Sequence, residues 1–163
     1  MGRFGEAALT TRRLMLTPLR PQDAGPMAAV LADERLHEFI GGRPASPAAL
    51  RERYRALAAG SGDPDQVWLN WIVRLRAGGE PAGTVQATVT RRADETWTAA
   101  VAWIIGVRWQ GRGYASEAAV ALVTWLGRQG AESITAEDHA AWAGTIPWEI
   151  FTSITARVER IKV

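Results

Sequence analysis

The stretch from Trp97 to Gln129 constrains the fold more than any other part of the sequence. Its first part, Trp97–Val107, carries no charge and contains several β-branched residues, which predicts a central strand buried on both faces. Its last part, Tyr114–Gln129, is apolar on a wide arc, which predicts a helix packed against a sheet. A short strand follows at Ser133–Ala136. Because such crossovers have one hand, the two strands are expected to be parallel.

The residues before this stretch predict a meander that is preceded by helices. Ser46 is a good N-cap residue, Pro47 suits the first helical position, and Gly60 stops this helix after Ala59. The other predicted elements are a strand at Leu14–Leu19, a helix from Pro21 to Leu31, and an antiparallel hairpin of Val67–Leu75 with Thr84–Thr90. Helices that segregate from a mixed, mostly antiparallel sheet indicate the α+β class.

Size and composition exclude several classes of protein. A chain of 163 residues has the size of one domain, so residues 1–163 are expected to form a single domain. The net charge of +2, from 19 basic and 17 acidic residues, indicates no nucleic-acid partner. Cysteine is absent and the two histidines, His37 and His139, stand alone, so no metal site is expected. No segment resembles a signal peptide or a membrane span, which predicts a cytoplasmic protein without a membrane partner.

The loop between the uncharged strand and the alanine-rich helix has the features of an anion site. It reads Gln110-Gly111-Arg112-Gly113, and it opens a helix whose first N–H groups have no partner within the helix. These groups and the positive end of the helix dipole favour phosphate oxygens, and glycine lets a ligand approach the backbone. Arg112 adds a mobile cation. The loop is therefore predicted to bind a pyrophosphate without cleaving it.

Three phosphate-binding patterns compete for this loop. A P-loop is excluded because no lysine follows the glycines. A dinucleotide fingerprint would need a third glycine or alanine where Ser116 stands, and its acidic residue would be Glu132, at the start of a strand instead of its end. The preceding meander is also the wrong context for it, so dinucleotide binding remains only a distant alternative.

The third pattern resembles the GCN5-related N-acetyltransferase (GNAT) superfamily, whose acetyl-CoA motif is Q/R-x-x-G-x-G/A. Gln110, Gly113 and Ala115 meet this motif in the required strand–loop–helix setting. Residues 9–24, LTTRRLMLTPLRPQDA, also look like the start of the branch that acetylates ribosomal-protein N-termini. The resemblance covers residues 9–136. It implies the GNAT fold, with a splayed strand pair that forms the acetyl-CoA cleft.

The resemblance also implies which residues hold acetyl-CoA. The backbone amides from Gly111 to Ser116 would bind the pyrophosphate, and the strand end Ile104–Val107 would pair with the pantetheine arm. A backbone N–H near Ile105 would polarise the acetyl carbonyl. The implied cofactor site is Ile104, Ile105, Gly106, Val107, Gln110, Gly111, Arg112, Gly113, Tyr114, Ala115 and Ser116.

The catalytic residues stay unknown at this stage. Many relatives place a glutamate before the aromatic residue of this strand, but Ala99–Ala102 contains no acid. Glu95 lies too far back along the strand, Glu117 is interpreted as a helix-start charge and Glu38 as a surface residue, so water is a further candidate for the base.

The last part of the chain, residues 138–163, departs from the family pattern. His139 and Trp142 stand where the family has an asparagine and a serine, and no tyrosine follows that could reprotonate the CoA thiolate. This departure weakens the case for catalysis more than the case for CoA binding.

The predicted function is transfer of acetyl from acetyl-CoA to a primary amine, either a protein N-terminus or a small molecule. The alternative is a catalytically weak CoA-binding or oligomerising domain of the same fold. A homodimer is a further hypothesis.

Overall fold

The described part of the chain folds into a six-stranded sheet with helices on both faces. The structure is a computed structural model that describes residues 2–40 and 42–136, and the side chains of all of these except residues 38–40. The strands lie side by side in chain order. They are β1 (Leu9–Thr10), β2 (Leu14–Pro18), β3 (Gln66–Leu75), β4 (Pro81–Arg91), β5 (Trp97–Ile105) and β6 (Ser133–Ala136).

Four α-helices accompany the sheet within residues 2–40 and 42–136, and the sequence predicted three of them. They are α1 (Ala24–Val30), α2 (Glu34–Ile40), α3 (Pro47–Ala59) and α4 (Tyr114–Gln129). The predicted start of α3 is confirmed, since the Ser46 hydroxyl accepts a hydrogen bond from the Ala49 N–H at 3.2 Å. The predicted helix from Pro21 begins as a short 3-10 helix and continues as α1. No helix was predicted between Leu31 and Ser46, where the structure has α2.

The strand pairing agrees with the predicted topology. β1 to β5 pair antiparallel with their chain neighbours, whereas β5 and β6 are parallel, with Thr98 opposite Ser133 and Val101 opposite Ala136. The two-residue strand β1 was missed, because so short a strand carries no alternating pattern. The helix α4 forms the crossover between the parallel strands, and the α+β class is confirmed.

The core lies between the sheet and its helices. In β3 the residues from Leu69 to Val73 are consecutively buried, which requires cover on both faces. α4 covers one face, where Trp125 packs edge-on against Trp71 with ring centroids 5.5 Å apart. α1 and α3 cover the other face and contact β4 and β3.

Two predictions about β5 needed correction. It ends at Ile105, and Val107–Trp109 forms a short 3-10 helix that leads into the loop. The predicted burial on both faces was also wrong, since Thr98, Ala100 and Ile104 are half-buried. On the side away from α4, β5 is therefore less covered by the described residues than the central strand β3 is. The predicted divergence of residues 138–163 lies outside the described residues.

Candidate functional site

The loop that follows β5 has the backbone geometry of an anion cradle. Gly111 and Gly113 both adopt left-handed conformations, with φ of 75° and 81°, which favour glycine. Gly113 is the N-cap of α4 and no side chain caps this helix end. The first intrahelical bond runs from the Glu117 N–H to the Gly113 carbonyl at 3.1 Å. The N–H groups of Tyr114, Ala115 and Ser116 therefore have no partner within the helix.

The cradle is open on its outer side. Residues 110–113 are exposed, and a Cβ built on Gly111 would meet nothing within 4 Å. Within residues 2–40 and 42–136, the Arg112 side chain forms no ion pair, so its guanidinium is available to an anion. Backbone amides, a helix dipole and a mobile cation thus converge on one exposed loop.

The end of β5 presents backbone groups beside this loop. The Gly106 N–H donates to the Ala82 carbonyl of β4 at 2.8 Å. Because successive residues of a strand point their backbone groups to opposite edges, the N–H and C=O of Ile105 face away from β4. On that edge β5 pairs with β6, and among the described residues this pairing ends at Val101, opposite Ala136. Ile105 lies four residues further along β5 than the last pair.

Gln110 has a contact that its place in the motif did not reveal. Its side-chain amide donates to the Ile105 carbonyl at 2.9 Å. This hydrogen bond ties the loop to the strand end and satisfies one lone pair of that carbonyl. The Ile105 N–H, rather than its carbonyl, is then the more available backbone group at this position.

A packed glycine fixes the neighbouring strand. A Cβ on Gly83 of β4 would lie 2.1 Å from the Ile104 carbonyl oxygen, so only glycine allows the two strands to approach this closely. Gly106 is similarly crowded, since a Cβ there would lie 2.8 Å from Val30 of α1. The end of β5 is therefore held from two sides.

The structure brings Arg13 and Thr11, from the turn between β1 and β2, to the start of α4. The Thr11 hydroxyl donates to Glu117 Oε2 at 2.5 Å, and the Arg13 Nε donates to Glu117 Oε1 at 2.8 Å. Partial burial alone would raise the pKa of Glu117, but these hydrogen bonds and the charge of Arg13 outweigh it and lower that pKa. Sequence reasoning missed this cluster, because its members lie more than 100 positions apart.

The structure weakens two of the three carboxylates that were considered as the base. Glu117 is hydrogen-bonded to Thr11 and Arg13 and has a lowered pKa, which makes it a weak proton acceptor. Glu95 stands in the turn before β5, at the far end of that strand from Ile105, and pairs with Arg91 at 2.8 Å. The side chain of Glu38 lies outside the described part of the chain.

Comparison with known proteins identifies the family. The family model described as an acetyltransferase (GNAT) domain matches residues 13–144, which is most of the chain. The match includes the loop and the strands β4 and β5. The chain belongs to the GNAT acetyltransferase family. The prediction of an acetyl-CoA-dependent acetyltransferase is thereby confirmed at the level of the family.

Solved GNAT structures share the fold. An acetyltransferase from Bacillus anthracis is similar over 91% of this chain and 82% of its own, with 16% identity and a TM-score of 0.70. A putative ribosomal-protein-serine acetyltransferase from Vibrio cholerae is similar over 76% of this chain and 68% of its own, with 20% identity and a TM-score of 0.61. A ribosomal L7/L12 α-N-protein acetyltransferase in complex with coenzyme A is similar over 76% and 70%, with 14% identity and a TM-score of 0.63.

One short similarity points elsewhere. A stretch of 38 residues is 53% identical to an alanine racemase from Thermodesulfovibrio yellowstonii, but it covers 23% of this chain and 10% of that enzyme. The chain thus spans about a tenth of the racemase, and no racemase activity follows from the match.

None of the helices in the described residues has the length and apolar character that a membrane span needs. The same residues contain no cluster of three or more His, Cys, Asp or Glu side chains that could hold a metal ion.

Proposed function

We propose that the protein is an N-acetyltransferase that moves the acetyl group of acetyl-CoA to a primary amine, either a protein N-terminus or a small molecule. The observation that carries the proposal is the uncapped N-terminus of α4, which follows the end of β5 through a loop with two left-handed glycines. Membership of the GNAT family indicates that the acetyl donor is acetyl-CoA. The geometry supports its binding at the loop that follows β5.

The pyrophosphate is proposed to bind the amides from Gly111 to Ser116, with Arg112 as the mobile cation. This assignment is supported by the exposure of the loop and by the absence of any capping side chain. The pantetheine arm is proposed to lie along Ile104–Val107, where the outward-facing backbone groups of Ile105 offer an amide partner. Tyr114 and Ala115 belong to the site through their backbone N–H groups.

Acetyl transfer needs little from the side chains if both reactants are well placed. The thioester supplies an activated acetyl group, and the Ile105 N–H is proposed to polarise its carbonyl oxygen. Orientation in the cleft makes the attack of a neutral amine effectively unimolecular. As the amide bond forms, the C–S bond of the thioester would break and CoA would leave as its thiolate. Since Ala99–Ala102 contains no acid and Glu95 and Glu117 are paired, the proton of the amine is proposed to leave to water, and the thiolate to take a proton from water.

The missing acid in β5 favours a second candidate function, a CoA-binding domain with weak catalysis. Both candidate functions require the same cofactor site, so both predict that CoA binds. They differ in the rate of acetyl transfer that they predict. The ribosomal-protein acetyltransferases of the same fold make protein N-termini the first acceptors to test. A cytoplasmic location and a homodimer stay predictions.

Calorimetry with CoA and with NAD tests the cofactor site. Wild type is expected to bind CoA and not NAD, and Gly113→Glu is expected to abolish binding, because it adds bulk and a negative charge where the pyrophosphate would lie. Gly62→Glu is the matched control, since Gly62 is exposed in the loop between α3 and β3, has a similar left-handed φ of 74° and has nothing within 4 Å of a built Cβ. Thermal unfolding of both variants checks that they are folded.

Two outcomes would decide against these proposals. Binding of NAD without CoA would refute the cofactor assignment. If CoA binds but no peptide N-terminus or small amine in a broad panel releases the free thiol, the weakly catalytic CoA-binding domain replaces the N-acetyltransferase.

A further inference from the structure

We infer that Arg13 is a positioning residue that holds the pyrophosphate loop in its binding conformation. The inference rests on the proposed cofactor site and concerns a residue to which the motif assigns no role. Arg13 lies in the turn between β1 and β2, on the opposite side of the sheet order from β5 and β6. It nevertheless reaches the loop and the first turn of α4.

Three separate contacts join the Arg13 side chain to the site. Its Nη1 donates to the carbonyl of Arg112 at 2.9 Å, and its Nε donates to Glu117 Oε1 at 2.8 Å. The guanidinium also lies over the ring of Tyr114, with its central carbon 4.5 Å from the ring centroid. We call this arrangement of Arg13, Glu117, Tyr114 and the Arg112 carbonyl the latch.

The loop depends on an external support of this kind. Gly111 and Gly113 lose more conformational freedom on ordering than other residues, and a Cβ built on Gly111 would meet nothing within 4 Å. The bond to the Arg112 carbonyl fixes the peptide that lies between the two glycines. The Arg13 Nη2 lies 3.4 Å from a Cβ built on Gly113, so the guanidinium also backs the residue that begins α4.

The geometry separates positioning from direct attraction of phosphate. The charge of Arg13 is compensated by Glu117, which is 20% exposed and accepts further bonds from the Arg13 backbone N–H and from Thr11. Arg112, by contrast, has no ion pair among the described residues. Arg112 is therefore the cation for the ligand, while the latch orders the amides that bind it.

Lysine cannot replace arginine in the latch. A guanidinium is planar and donates in several fixed directions, so one side chain can bond a carboxylate and a carbonyl while its face covers a ring. An ammonium keeps the charge but reaches one of these partners at a time. Arg13→Lys thus tests the geometry of the latch at constant charge.

The matched control is Arg76→Lys. The Arg76 Nη1 donates to the carbonyl oxygens of Thr11 and Arg12 at 3.1 and 3.3 Å, so it supports the same turn without touching the loop. If support of the turn were sufficient, the two substitutions would have similar effects on the loop.

The experiment measures CoA affinity by calorimetry, and amide hydrogen exchange of Gln110 and Glu117 in the ligand-free protein, because their N–H groups donate to the Val107 and Gly113 carbonyls on either side of the loop. For Arg13→Lys we expect affinity for CoA to fall about tenfold, as loss of a charge-assisted hydrogen bond predicts. Exchange of these amides should become faster while that of β4 is unchanged. Arg76→Lys should behave like wild type in both measurements.

Three results are informative. If Arg13→Lys binds CoA as wild type does, the inference is wrong although the cofactor site stands. If exchange becomes faster across β4 and α4 alike, Arg13 is merely structural and the inference is also wrong. If wild type binds no CoA, the proposed function fails, and hydrogen exchange alone still decides whether Arg13 orders the loop.

Discussion

Replacement of Gly83 by alanine should separate two strands that the site needs close together. A Cβ at this position would lie 2.1 Å from the Ile104 carbonyl oxygen, whereas a carbon and an oxygen in contact need more than about 3 Å. The strands must therefore move apart by about 1 Å. A ladder hydrogen bond of about 2.9 Å would then lengthen to nearly 4 Å, which is no longer a hydrogen bond.

The cost follows from these distances. Overpacking of a core contributes about 1–3 kcal/mol and a lost ladder bond about 1 kcal/mol, so Gly83→Ala should lower the free energy of unfolding by about 2–4 kcal/mol. Chemical denaturation monitored by tryptophan fluorescence measures this loss. Since Ile104 and Gly106 lie in the proposed pantetheine strand, CoA affinity should fall as well.

Gly25→Ala is the control for this substitution. Gly25 lies in α1 with nothing within 4 Å of a built Cβ, and its φ is not left-handed. Alanine favours a helix over glycine, so this variant should be as stable as wild type or more stable by up to about 1 kcal/mol. If Gly83→Ala is as stable as Gly25→Ala and binds CoA normally, the close approach of β4 and β5 has no role in stability or binding.

Two further predictions concern titratable side chains. Because hydrogen bonds lower the pKa of Glu117, its contribution to stability is fully present above the ordinary value of 4.5 and is lost as the pH falls through the lower folded value. Unfolding free energies of wild type and Glu117→Gln should therefore converge in acid, and a constant difference down to pH 2 would contradict this. Tyr54→Phe should leave stability unchanged or raise it by up to about 1 kcal/mol, because the buried Tyr54 hydroxyl has no hydrogen-bond partner among the described residues. Burial raises the pKa of Tyr54 to about 12, and a lower denaturation midpoint for the variant would reveal a hidden partner.

Local signals in the sequence predicted most of the fold. The serine and proline at 46 and 47 fixed the start of α3, and the alternation from Val67 to Leu75 gave the face of β3 that packs on α4. These signals are read within one element, since a cap or a period needs only a few neighbouring residues. The helix α2 was missed because its seven residues are too few for a clear apolar period.

The site could be predicted only where it is local in the chain. Glycines at 111 and 113 indicated the cradle, and both have the left-handed conformation that made them informative. The partners of Glu117 could not be predicted, because Thr11 and Arg13 come from a turn at the other end of the sequence. Gly83 gave no signal either, since the crowding that requires it arises from pairing with β5.

The ion pair of Arg13 and Glu117 also has a consequence for the order in which parts of the fold form during synthesis. It closes a loop of 104 positions, so it cannot form before α4 has been synthesised and has docked on the first strands. Contacts of such separation form late, because the entropy of closing a long loop must be met first. The antiparallel strands can pair as they emerge from the ribosome, whereas the cofactor loop is expected to become ordered only once the turn between β1 and β2 has met the start of α4.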